Sequence, residues 1–196
     1  RISFYSDRSG KYEAWTINRD GSGLRQMTFA NGVDVIYPFW SPDGARLAYN
    51  PRTESCSIIE VGKPWDEQTP RRVPAPPAAR LDGFSAFSWS PDGRKLGGWI
   101  NSPTENAGII LYTFETSNFE RLTNFGSKPI WLHDNRRLLF NHAGKLFLVN
   151  SETKKVQEIS LHSPHYLYEY GLTGDKRILY YTLATTEADI WLLNLE

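Results

Sequence analysis

The chain has 196 residues, 22 basic and 22 acidic side chains that cancel to zero net charge, and 14% aromatic residues including seven Trp. Without surplus cations to displace phosphate counterions it is not expected to bind nucleic acid. The lone Cys56 excludes an internal disulfide and any cysteine-cluster metal site, and no apolar run reaches the roughly 18 residues needed to insert across a membrane.

The sequence opens on Arg1 rather than Met and reads as a fragment or processed product that begins inside a repeat unit. Residues 1–6 predict a strand of the kind that follows a hairpin turn. Residues 13–18 predict the next strand, 19–23 a turn and 24–28 an outer strand. The second unit is fuller, with strands at 35–40, 46–50, 57–61 and 71–73, the last two the least regular of the set. Between its first two strands stands Trp40-Ser41-Pro42-Asp43-Gly44. Pro42 fixes φ at the second turn position, Asp43 can accept hydrogen bonds from the turn backbone, and Gly44 supplies the positive φ at which the chain reverses. Residues 74–79, rich in Pro and Ala, cannot supply a full ladder of N–H donors and predict a short polyproline-like link.

The third unit repeats the turn as Trp89-Ser90-Pro91-Asp92-Gly93, with strands at 86–89, 95–100, 109–114 and 119–123. A fourth uses 128–131, 137–141, 145–150 and 155–160, and the last uses 166–170, 177–182 and 189–194. Two degraded turns extend the series, Trp131-Leu132-His133-Asp134-Asn135 and Gly171-Leu172-Thr173-Gly174-Asp175. Taking Trp40, Trp89, Trp131 and Gly171 as equivalent gives spacings of 49, 42 and 40 residues, which suit a four-stranded propeller blade of about 40 to 50 residues. The expectation is an all-β fold: a β-propeller of four-stranded antiparallel blades, about five consecutive units, the first and last incomplete. It would be a single domain with units near 1–34, 35–82, 83–124, 125–164 and 165–196. The strand count would be 18, and the missing strands suggest a fragment or open arc of a larger propeller. The rows Ile2/Phe4, Leu47/Tyr49, Leu138/Phe140 and Ile178/Tyr180 alternate in their strands and are expected to form the core between blades.

The Trp-Ser-Pro-Asp-Gly turn, a basic residue, an apolar strand, then Ile190-Trp191-Leu192-Leu193-Asn194 or Leu146-Phe147-Leu148-Val149-Asn150, and Arg121-Leu122-Thr123, together resemble the TolB-like propeller repeats. These are a bacterial relative of the WD-repeat class. The resemblance covers nearly the whole chain and implies a periplasmic or otherwise extracytoplasmic setting. Its members include the periplasmic Tol component and sensor or effector halves of signalling proteins. Related propellers form the noncatalytic half of prolyl oligopeptidases.

No catalytic constellation stands out. Asp43 and Asp92 recur at one turn position and read, with Trp40, Pro42, Gly44, Trp89, Pro91 and Gly93, as structural. His162-Ser163-Pro164-His165 has the spacer of some metal pairs, but its proline and the lack of a third ligand argue against a metal. No Gly-x-Ser-x-Gly elbow or phosphate loop occurs. His133 and Asp134 read as turn residues. No metal and no cofactor are expected.

Because successive strands alternate in direction, the Ser-Pro-Asp-Gly turns share one end of the propeller, and the longer loops and interblade links share the other. The loop-rich end carries Arg8, Tyr12, Arg52, Glu54, Glu105, His142, His165 and Glu187, and binding residues concentrate on such loops. The reading is a noncatalytic binding module that engages a protein or peptide at this end or in the central channel, with self-association through open blade edges. An alternative is the substrate-gating propeller of a prolyl oligopeptidase-like serine peptidase whose catalytic domain lies elsewhere. A hydrolase or lyase with a central-channel metal is disfavoured because only four His exist, at unmatched repeat positions.

Overall fold

The computed structural model describes residues 1–76, 84–100, 107–160, 166–173 and 177–184. Among these, seventeen strands form five antiparallel sheets, each built from consecutive strands. The first sheet holds β1 (Ile2–Ser6), β2 (Glu13–Ile17) and β3 (Arg25–Gln26). The second holds β4 (Val35–Trp40), β5 (Arg46–Pro51), β6 (Ser57–Glu60) and β7 (Arg71–Arg72). The third comprises β8 (Ser85–Trp89), β9 (Lys95–Ile100), β10 (Gly108–Thr113) and β11 (Asn118–Arg121). The fourth comprises β12 (Ser127–Trp131), β13 (Arg137–His142), β14 (Lys145–Asn150) and β15 (Val156–Ile159). The fifth pairs β16 (Tyr166–Leu172) with β17 (Leu179–Ala184). Its expected third strand at 189–194 lies outside the described residues, as does part of the Pro-rich link at 77–79. One 3-10 turn, Trp65–Glu67, interrupts the irregular second unit.

The molecule is therefore an all-β, five-bladed propeller arrangement. Its cores lie between sheets. Leu47 and Ile59 pack with Ala14 and Met27 of the first sheet, while their neighbours Ala48 and Ile58 pack with Ala86, Leu96 and Tyr112 of the third. Adjacent strand residues point to opposite faces, so a sheet buried on both faces needs an unbroken apolar run. Hence Ile109, Ile110, Leu111 and Tyr112 are all buried.

The first strands β4, β8 and β12 pack side by side around the axis. Each carries a bulge, and in β4 and β12 the bulge is Tyr37-Pro38 and Lys128-Pro129, with Tyr37 at φ +49° and Lys128 at φ +53°. Proline is tolerated because the free edge of these strands faces the channel, so no ladder bond is lost.

The fifth unit corrects the expected alignment. Leu172 pairs with Leu179 as Trp40 pairs with Leu47, and the Thr173 N–H donates to the Ile178 carbonyl (3.0 Å) as the Ser41 N–H does to Arg46 (2.9 Å). Leu172, not Gly171, holds the Trp place. A one-residue slip turns a strand's row to the other face. Leu179 and Leu183 consequently pack on the fourth sheet, whereas Ile178 and Tyr180 are 62% and 60% exposed. Ile2 is likewise 51% exposed, so the rows in the two end sheets are not core.

Candidate functional site

The two full turns are built alike. Ser41 Oγ donates to Asp43 Oδ1 (2.5 Å), which also accepts the Ala45 N–H (3.0 Å), while the Arg46 N–H donates to Ser41 Oγ (2.9 Å). Ser90 and Asp92 repeat this at 2.6 Å, with the Arg94 N–H on Asp92 Oδ1 at 3.0 Å and the Lys95 N–H on Ser90 Oγ at 2.8 Å. Gly44 and Gly93 take φ +68° and +71°, and in the degraded copy Asn135 takes that role at +55°. These hydrogen bonds hold the Asp43 carboxyl below its ordinary range, the Ser41 hydroxyl contributing most and the Ala45 amide next. Burial alone would raise Asp92, but Ser90 and the Arg94 amide outweigh it, and its carboxyl is also lowered. Both carboxylates are spent on their turns.

Of the loop-end residues that are described, most are engaged locally. The Arg8 guanidinium lies over Phe4 (5.4 Å) and Trp15 (5.1 Å), Arg52 pairs with Asp34 (3.6 Å), Glu54 pairs with Arg72, and His142 packs on Phe125 (4.9 Å). Asp34 links two of them, because its Oδ1 also accepts the Tyr12 N–H (3.3 Å). The Tyr12 ring lies edge-on to Tyr5 at 5.5 Å. Glu105, His165 and Glu187, and the pair His162/His165, lie outside the described residues.

Tyr12 leads to a feature the sequence reading did not assemble. Tyr5 meets Tyr37 (5.7 Å), Tyr37 meets Phe87 (5.5 Å), and Trp99 packs on both, at 6.1 and 5.9 Å. Beside this aromatic layer the Lys128 ammonium lies 5.6 Å from the Tyr37 ring and bonds the Glu169 carboxylate, while the Tyr170 hydroxyl donates to the Lys128 carbonyl. Burial, then the neighbouring Tyr37 and Glu169, push the Tyr5 hydroxyl above its ordinary value. A signal existed: a proline stands two residues before both Trp40 and Trp131, marking the bulges that place Tyr37 and Lys128.

Tyr5, Tyr37 and Phe87 of this layer line an axial cavity of about 1580 Å³. It opens at the turn end, past Ser41, Pro42, Pro91, His133 and Thr173. One wall is β1; the facing wall is Leu172, Ile178 and Tyr180. The exposed rows of the two end sheets thus line this space. Among the described residues no three His, Cys, Asp or Glu side chains converge as a metal site, and no helix is long and apolar enough to cross a membrane.

A second buried feature escaped the sequence reading. Glu13 is 5% exposed, its carboxylate accepting the Thr28 hydroxyl and the Ala30 N–H (2.8 Å). Thr28 Oγ1 in turn accepts the Ala14 N–H (2.8 Å), as Thr123 Oγ1 accepts that of Ile109 (2.9 Å), which explains the Thr of the Arg-Leu-Thr motif.

This geometry is shared with solved propellers. A TolB from Acinetobacter baumannii superimposes with a TM-score of 0.72 at 14% identity, over 91% of this chain and 46% of that one. An oligogalacturonate lyase in complex with manganese gives 0.67 at 16% identity, over 92% and 55%. A nidogen/laminin complex gives 0.69 at 9% identity, over 93% and 69%. At these identities the likeness establishes the fold, a TolB-like β-propeller, and the chain spans less than half of the TolB structure. No protein-family model and no curated protein matches the chain.

Proposed function

We propose that the chain is a noncatalytic propeller module of a larger bacterial protein, binding a protein or peptide partner in the axial cavity. The observation that carries this reading is the cavity itself, with apolar walls and a mouth formed by four turns. Exposed apolar surface of this kind marks interaction sites. The nidogen/laminin likeness is consistent with it, and the lyase likeness supplies the rival, a propeller with chemistry of its own. A displayed peptide library selected on the chain should yield binders, weakened about tenfold by Ile178→Glu or Tyr180→Ala and unaffected by Arg8→Ala at the other end. Binding indifferent to the cavity variants, or manganese-dependent cleavage of oligogalacturonate, would overturn the reading.

A further inference from the structure

The turn end of the axial cavity is electrostatically one-sided. Among the described residues its lining includes Arg1, Arg19 and His133 and no carboxylate, although the chain as a whole is neutral. A second recess of about 690 Å³ adjoins it through Arg1 and adds Arg25 and Arg46. Arg46 is engaged, 3.7 Å from Asp43 and 4.6 Å above the Trp89 ring. The acids nearby are engaged too: Glu60 with Lys63 at 2.8 Å, Asp20 with the Ser22 hydroxyl at 2.7 Å, and Asp43 and Asp92 within their turns. Arg1, Arg19 and Arg25 have no carboxylate partner among the described residues.

The walls below this rim offer little hydrogen bonding. Ser3 Oγ donates to the Pro38 carbonyl (2.9 Å) and Ser88 Oγ to that of Pro129 (2.7 Å), so the hydroxyls of these two wall serines are already used. A polyanionic sugar would leave hydroxyls of its own unpaired against Phe4, Leu172 and Ile178, which costs free energy at each group. A peptide with apolar side chains fits those walls, and carboxylates on it meet the guanidinium rim bidentately. We infer that the partner taken by this cavity, on the reading above, is an acidic peptide segment that pairs its carboxylates with Arg19 and Arg25 and buries aromatic or aliphatic side chains beneath.

Fluorescein-labelled peptides alternating Glu with Trp and Leu, with Gln and Lys counterparts of the same length, test this by anisotropy on the whole chain. The Glu peptide should bind about tenfold tighter than the Gln peptide and more tightly still than the Lys peptide. It should weaken between about 50 and about 300 mM salt, and lose its advantage in Arg19→Glu/Arg25→Glu. Arg136→Glu, on a residue paired to Glu152 away from the cavity lining, should leave it intact. Equal binding of all three peptides would sink the acidic preference while leaving the binding module standing. Binding of none would remove both, and oligogalacturonate competing as strongly as the Glu peptide would replace the peptide by a sugar.

Discussion

Asp134 shows at the level of one residue how a degraded motif keeps its role. It lacks Ser-Pro before it, yet Oδ1 accepts the N–H groups of Arg136 and Arg137, both at 3.0 Å, and Oδ2 accepts Arg137 Nε at 2.6 Å. Burial would raise its carboxyl, but these donors prevail and lower it, as at Asp92. A carboxyl lowered in the folded chain contributes stability that is complete above its unfolded value, ordinarily 3.8, and is lost as pH falls through the folded value. Urea midpoints should therefore hold from neutrality to about pH 5 and drop below about pH 4, with a shallower drop in Asp92→Asn/Asp134→Asn. An unchanged acid limb in that variant would show that the turn carboxylates do not couple to folding. Glu13 and Asn50 were not legible in this way. Asn50 Oδ1 accepts the Ala86 N–H and its Nδ2 donates to the Ala86 carbonyl, both at 2.9 Å, bridging residues 36 apart in sequence, and no local spacing announces such a bond.

At the scale of the strand and its turn, the repeated Trp poses a question of magnitude. The indole N–H groups of Trp15, Trp40, Trp89 and Trp131 are buried without an acceptor, which costs about 1 to 3 kcal/mol each. A buried indole removes roughly 200 Å² from water, or about 5 kcal/mol, so the ring prevails. Trp40→Ala and Trp89→Ala should each cost about 3 to 5 kcal/mol in denaturant melts, and losses below about 1 kcal/mol would show that neither ring is packed. The strand pattern, the two full turns and the propeller were readable because each rests on local chemistry that recurs along the chain. The last unit was misaligned by one residue because Thr173 performs the work of Ser41, its Oγ1 accepting the Ile178 N–H at 3.1 Å, and a hydroxyl swap does not show in a Trp-based alignment. The aromatic layer was unreadable because it joins Tyr5, Tyr37, Phe87 and Trp99 from three sheets through bulges.

For the molecule as a whole, the junction of the fourth and fifth sheets is where polar and apolar contacts meet. Lys128 and Glu169 bond across it, Tyr170 reaches the Lys128 carbonyl, and Ile130, Leu139 and Leu146 pack with Leu167 and Tyr170. Lys128 is 16% exposed, so Glu169→Ala leaves a poorly solvated ammonium and should cost about 2 kcal/mol, with limited proteolysis entering β16 and β17 first. Unchanged stability and an unchanged cleavage pattern would assign the junction to apolar packing alone. The other junctions carry a different device. A Cβ on Gly97 would stand 2.9 Å from Leu138 and 3.0 Å from Trp131 Nε1, while the same strand position one sheet earlier, Ala48, shares a core with Trp89. Trp89 and Trp131 are thus each fitted to the particular small residue that receives them, and these blades are not interchangeable parts: a unit transplanted one place along the ring would arrive with a socket of the wrong depth, so the order of the repeats is written into their joints.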